Sequence, residues 1–147
     1  MPDEERPLTE RGERQARTAG LALAMLGVRL DAVLTSPRVR ALETARLTCE
    51  AFDERTESAV HAPLSAGFDG AQALSLLAAW PEDAHVMIVG HEPDLAGLIG
   101  DLTGARVKLK KGGIAMIDVS SAVSGELVLL VRPRELALIA GVAVSQI

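Results

Sequence analysis

Tyrosine is absent from this chain, and aromatic residues are nearly so, with two Phe and one Trp. A core of the usual kind must therefore be filled by Leu, Ala, Val and Ile, and an apolar share of 48% supplies enough of them to bury one. A single cysteine, Cys49, rules out an internal disulfide and any multi-cysteine zinc site. Set in an apolar, helical-looking stretch, it reads as a buried core thiol and not as a nucleophile. No uninterrupted apolar run of about 18 residues is present, so no membrane span is expected. The opening "MPDEERPLTERG" lacks the apolar segment of a secretory signal. A basic stripe is missing too: net charge is −5 and the basic residues are scattered or paired with acids, which argues against a nucleic-acid surface. No cluster of His, Cys and acids has ligand spacing, so neither a metal nor another cofactor is called for. These absences leave one soluble, cytoplasmic domain over residues 1–147. A small anionic ligand stays open, because a local pocket can be positive on an acidic protein.

What is present alternates between helical and strand patterns. Thr9 is placed to cap a helix through "ERGERQARTAGLALAMLG", in which Ala16, Ala19, Leu23 and Leu26 recur at helical spacing and Gly27 marks a stop. "LDAVLTS" reads as a short buried strand. Ser36-Pro37 then predicts a helix start, with a capping hydroxyl followed by proline at the first helical position, leading into "RVRALETARLTCEAF". Residues 53 to 69 are polar and read as surface loop. "GAQALSLLAAW" predicts a third helix ended by Pro81. "HVMIVG" predicts a strand covered on both faces, since its apolar residues do not alternate with polar ones. Pro93 and Asp94 open a short helix to about Leu102. "GGIAMIDVS" and "GELVLLV" predict an antiparallel hairpin at a sheet edge, with its loop around Ser124-Gly125. This order favours a three-layer α/β/α sandwich with a mostly parallel sheet. It starts on a helix, however, where a right-handed βαβ crossover needs a strand first.

Two strand-to-helix junctions carry polar residues at the carboxyl ends of strands, where a parallel sheet places its ligands. "LTSPRVRA" brings Arg38 and Arg40, and "VGHEPDL" brings His91 and Glu92. Unpaired N–H groups at a helix start, with a guanidinium and an imidazole beside them, suit a phosphoryl group. Each residue also has a plainer reading. Arg40 alone could be a solvated helix arginine, His91 could hydrogen-bond loop carbonyls, and Glu92 and Asp94 read as helix-capping acids. His61 and His85 read as structural. The "KLKK" run, Lys108 to Lys111, reads as a solvated strand edge that discourages aggregation.

Taken together, these stretches resemble a known family. "SPRVRALETA" is similar to the Ser-Pro-x-x-Arg-Ala-x-x-Thr-Ala signature of the histidine phosphatase superfamily, and "VMIVGHEPDLAGLIGDLTG" to the segment carrying its second histidine. "RPLTERGERQA", "KLKKGGIAMIDV" and "LVRPREL" resemble its SixA-type phosphohistidine phosphatase branch. The resemblance implies a phosphoglycerate mutase-like sandwich. It also implies a two-step transfer, in which a nucleophilic histidine takes the phosphoryl group and water then cleaves the phosphohistidine. By motif, Arg40 matches a phosphate-clamping arginine and His91 the second histidine, so both are implied as phosphate-binding and catalytic residues; Arg38 falls at a variable place and receives no role. The implied partner is a phosphohistidine-bearing protein or, alternatively, a small phosphorylated molecule. A phosphoesterase would need a central acid, for which "AGFDG" offers Asp69.

One part of the pattern is not there. The superfamily's nucleophile lies in an Arg-His-Gly or Arg-His-Ala motif at the end of a first strand, which the resemblance places inside the sheet. No Arg-His pair occurs in this sequence. Removing such a strand would expose ladder groups on two neighbours, each costing about 1–3 kcal/mol if buried and unpaired. Three expectations follow. A strand and turn of about 10–15 residues is missing by truncation, the favoured reading; or the chain is a pseudoenzyme that binds phosphate or a phosphorylated partner; or another chain donates the strand, making an oligomer. The sequence as given is expected to be inactive or nearly so, with its oligomeric state open.

Overall fold

The computed structural model describes residues 1–52, 56–120 and 125–147. A short 3-10 turn at Asp3–Glu5 precedes helix α1 (Glu10–Met25), which Thr9 caps by accepting a hydrogen bond from the Gly12 N–H at 3.0 Å. Strand β1 (Ala32–Thr35) and helix α2 (Val39–Cys49) follow. Helix α1 crosses α2 on a face of small residues, and Gly20 is where they come closest. A Cβ there would run into the Thr48 carbonyl, so the crossing requires glycine. The Thr48 hydroxyl donates back to the Ala16 carbonyl at 3.2 Å, fixing the same crossing. Ala16, Ala19 and Leu23 are buried as their spacing predicts, whereas Leu26 lies just past the helix end and is exposed.

Strand β2 (Ser58–Val60), helix α3 (Gly70–Leu77), strand β3 (Val86–Val89) and helix α4 (Asp94–Thr103) complete the first half of the architecture. Strands β2, β1 and β3 lie parallel in that order. Strand β2 falls inside the segment read as loop. It is a three-residue edge strand, exposed throughout, and therefore carries no apolar signal. Gly104 ends α4 in the left-handed conformation at φ 76°, which glycine adopts without the usual steric cost.

Strands β4 (Ile114–Asp118) and β5 (Glu126–Val131) form the expected antiparallel hairpin, and helix α5 (Pro133–Ala140), which the sequence reading did not anticipate, follows it. Of the hairpin loop, residues 121–124 lie outside the described residues. The hairpin is not the edge of the main sheet: it is a sheet of its own, and among the described residues β3 pairs only with β1 while β4 pairs only with β5. Between them runs a cleft of about 2010 Å³, walled by Val86–Val89 on one side and Ile114–Asp118 on the other. This explains why β3 is half-buried rather than covered on both faces, and why β4 is largely half-buried too. The "KLKK" run leads toward β4 without joining a strand, its three lysines exposed to solvent.

Helices cover both faces. On one, α3 and α4 bury Ala73, Leu98 and Leu102 with Leu64 and Phe68, and Leu34 of β1 and Ile88 of β3 pack against them. On the other, α1 and α5 bury Ala19, Ala22 and Leu136 against Val131 of β5, with Ile114 of β4 packed alongside. The result is the three-layer α/β/α arrangement that the sequence favoured. Cys49, expected to be buried, is half-buried at the end of α2, and desolvation pushes its thiol above the ordinary value, so it is no activated nucleophile.

Candidate active site

Both junctions singled out in the sequence open at the same end of the parallel sheet, since β1 and β3 run side by side in register from Ala32↔Val86 to Thr35↔Val89. The chain leaves β1 through Ser36 and β3 through Gly90 and His91. The register thus brings residues 55 positions apart into contact: the His91 Nε2 lies 2.7 Å from the Ser36 Oγ. That bond corrects the expectation that Ser36 caps α2. The helix starts at Val39 with Arg38 as its N-cap residue, and no side chain caps it. The fully buried Ser36 hydroxyl accepts from the Arg38 N–H at 3.2 Å and is shared with His91 instead.

Arg40 and His91 both line the cleft. Arg40 stands in the first turn of α2, and Arg38 two residues before it. Their side chains are only 24% and 20% exposed, and both reach the Asp3 Oδ2 at 3.2 Å. Arg40 also donates to the Asp3 carbonyl at 3.0 Å. One carboxylate oxygen is therefore held between two guanidinium groups beside an imidazole. Desolvation works to raise the Asp3 pKa, but the charges of Arg40, Arg6 and Arg38, with the Arg40 hydrogen bond, outweigh it and hold this carboxyl below its usual range.

The environment of His91 favours a neutral ring. Desolvation is the largest effect, followed by repulsion from Arg38 and Arg40, while Asp3 and Asp94 offset them in part. A histidine whose folded pKa is depressed binds its proton later than the unfolded chain does. Its effect on stability is absent above the ordinary value of about 6.5 and becomes a cost as pH falls from there through the lowered folded pKa. An NMR titration of the His91 ring is expected to give a midpoint below 6.5, moving up on Arg40→Gln and further down on Asp3→Asn. A midpoint at or above that of a free histidine would show that the arginines do not act on the ring.

The acids nearby are otherwise engaged. Glu92 accepts from the Ala96 N–H at 2.8 Å and Asp94 from the Gly67 N–H at 2.8 Å, so both satisfy backbone donors. Asp69 caps α3 in a reciprocal box with Gln72 and lines a separate small hollow with Asp94 and Asp101, away from the Arg40–His91 cleft. His61 stacks edge-on against Phe68 with ring centroids 5.8 Å apart, and His85 is tied to the Arg29 carbonyl at 2.8 Å. Among the described residues, no group of His, Cys, Asp and Glu could hold a metal ion. No helix among them is long and apolar enough to cross a membrane. Sequence reasoning singled out Arg40 and His91, which the structure brings to one cleft, and missed Ser36 as the partner of His91. The only available signal was the Ser36 hydroxyl at a strand exit, which reads equally as a cap.

The profile of the Histidine phosphatase superfamily (branch 1) matches residues 2–64. An uncharacterized protein of a Picosynechococcus strain is 32% identical over 147 aligned residues, covering 90% of this chain and 86% of that protein. The mitochondrial serine/threonine-protein phosphatase Pgam5 of Drosophila persimilis is 45% identical over 56 residues, 37% of this chain and 19% of its own. The structure of the protein histidine phosphatase SixA complexed with tungstate superposes with a TM-score of 0.84 at 23% identity, over 92% of this chain and 89% of that one. By its match to the superfamily profile, and with a fold to match, the chain belongs to the histidine phosphatase superfamily.

Proposed function

We propose that this chain is a phosphohistidine phosphatase-like domain whose Arg40–His91 site grips the phosphoryl group of a phosphohistidine on a partner protein. The observation that carries this reading is the convergence of Arg40 and Arg38 on a single anionic oxygen, with His91 held on Ser36 within reach of their charges, at the exits of two adjacent parallel strands. A guanidinium presents paired N–H donors matched to phosphoryl oxygens, and His91, neutral when the site is empty of phosphate, gains reason to protonate as a dianion arrives. The SixA structure supports the reading, since that protein holds tungstate, a tetrahedral oxyanion. With no Arg-His motif in its 147 residues, the chain as given binds the phosphoryl group without forming the covalent intermediate.

The small-molecule phosphoesterase reading needs a central proton donor, and Asp69 is committed to capping α3. A second reading does have an observation in its favour. The free edges of β3 and β4 facing one cleft suit a strand donated by another chain, which would join the two sheets and supply the nucleophile.

Phosphate release from a phosphoramidate tests the first reading. The 147-residue chain is expected to release no more phosphate than buffer, yet to bind inorganic phosphate in a 31P NMR titration. Arg40→Gln is expected to weaken that binding about tenfold or more, the loss typical of a charge-assisted hydrogen bond. Asp69→Asn should leave it unchanged. Enzyme-like turnover that His91→Ala abolishes would overturn the non-hydrolytic reading, and binding indifferent to Arg40 would overturn the site.

A further inference from the structure

Arg38 has no part in the sequence signature, and Asp3 lies 35 residues before it, yet the two meet at the site. Resting on the phosphoryl-binding reading above, we propose that Arg38 is a second phosphoryl-binding residue and that the Asp3 carboxylate is the internal anion an incoming phosphoryl group displaces. Three observations support this.

First, the arginine is already aimed. Residue 38 precedes α2 in an extended conformation, with φ −65° and ψ 139°, while Arg40 lies in the first helical turn. That bend brings the two guanidinium groups onto the same Asp3 oxygen, although residues two apart on a regular helix do not share a face. The Arg38 Nε also reaches the Ser65 Oγ at 3.4 Å, a long contact on the other side of its head group. Its backbone N–H, through Ser36, shares a hydroxyl with His91. Arg38 is thus linked to both other members of the site.

Second, the present occupant fits poorly. Two guanidinium groups offer ten N–H donors between them, and a carboxylate that presents one oxygen to both satisfies few of them. A phosphoryl group brings three terminal oxygens and about twice the charge. Third, the occupant can leave. The Asp3 side chain is 52% exposed, in a short turn whose other acids, Glu4 and Glu5, are also exposed. Its remaining ties are to Arg6, also exposed, at 3.0 Å, and from the Arg40 guanidinium to its carbonyl at 3.0 Å, while the segment beyond is anchored independently where the Leu8 N–H donates to the Glu43 Oε2 at 2.9 Å. Exposed ion pairs of this kind are weak and screened by salt. The exposed Asp3 side chain can turn away from the arginines while the chain from Leu8 onward stays in place.

The test is a titration of the intact chain with inorganic phosphate at pH 7.5 and fixed ionic strength, in wild type and variants. Asp3→Asn is expected to tighten binding about 3- to 10-fold, by removing a competitor held through two exposed pairs. Arg38→Gln in the Asp3→Asn background is expected to weaken it about tenfold or more. Arg38→Lys, which keeps the charge and loses the planar fork, should fall between, and it serves as the second variant should Arg38→Gln fail to fold. Glu50→Gln, at the far end of α2, makes the same change in net charge and is expected to leave binding unaltered. Equal tightening by Asp3→Asn and Glu50→Gln would reduce the effect to net charge and overturn the displacement. Binding unaffected by both Arg38 variants while Arg40→Gln abolishes it would remove Arg38 from the clamp and leave the phosphoryl site standing. Should no variant, Asp3→Asn included, bind phosphate at millimolar concentration, the phosphoryl reading itself fails and this inference with it.

Discussion

Appending an apolar strand that ends in Arg-His-Gly ahead of Met1, through a short turn, is expected to confer catalysis of phosphoramidate hydrolysis on this chain. The cleft between β3 and β4 has the walls such a strand requires. Among the described residues each of these strands pairs on one side only, and the cleft they help to wall, about 2010 Å³ in all, is twice the upper range of a small-molecule pocket. A strand of about five or six residues spans about 17–20 Å, enough to run the length of β3. It must run parallel to β3, because only then does its carboxyl end emerge beside His91 and Arg40. The appended histidine would attack phosphorus through a ring nitrogen, forming one P–N bond as the P–N bond of the substrate breaks and its nitrogen takes a proton. Water would then cleave the new phosphohistidine and release phosphate. Removing a nucleophile from an enzyme can cost up to about 10⁶ in turnover, so restoring one in an imperfectly engineered turn is expected to raise it by at least about 10³ over the parent chain. The same strand with alanine in place of the histidine should raise the melting temperature, by pairing two free edges, while leaving turnover at background. An added strand that raises neither stability nor turnover would mean that the cleft does not accept one.

The legibility of this protein follows the range over which its signals act. Helix α1 was readable because Thr9, Ala16, Ala19, Leu23 and Gly27 are local marks of a start, a face and a stop, and the structure honours all five. Strand β3 was readable as a strand from "VMIV" alone. Its surroundings were not, because whether an apolar strand is covered on both faces depends on neighbours far away in sequence, and one of its edges faces the cleft. Strand β2 is too short and too exposed to leave a pattern. Helix α5 is only eight residues long, and the sequence reading assigned no element to its markers, Pro133 at the start and Glu135 bonding back to Arg132. At the candidate site, Arg40 and His91 were singled out by motif and by their place at strand exits, and both line the cleft. Ser36 was misassigned because a hydroxyl before proline is normally a cap, whereas here the register of β1 and β3 delivers an imidazole to it. Nothing local ties Asp3 to Arg38 or Arg40. Their meeting depends on the path of the opening segment, which is set by contacts such as that between Leu8 and Glu43.

The scarcity of aromatic residues has a cost that Leu64→Ala should make visible. Leu64 is 1% exposed and stands among Phe68, Ala73, Leu98 and Leu102, with Ile88 of β3 packed against the same cluster. Deleting a fully buried leucine side chain beyond its β-carbon costs about 2–5 kcal/mol, through lost transfer energy and the cavity left behind. The upper part of that range applies where neighbours cannot collapse into the space. Here the neighbours are branched aliphatics on two helices and a strand, with Phe68 as the only aromatic in the cluster, so little can swing in to refill the void. For a chain of this length each kcal/mol corresponds to about 3 °C, and the melting temperature is expected to fall by about 6–15 °C. Leu64→Met, which keeps the volume, should cost less than about 1.5 kcal/mol. Phosphate affinity, measured well below both midpoints, separates core from site. It should stay within about twofold of wild type, because Arg38, Arg40 and His91 are held by the strand exits and Ser36 rather than by the Leu64 methyls. A fall of only 1–2 °C would show that the α3–α4 layer repacks around the gap, and that the leucine-built core is more adaptable than its burial implies.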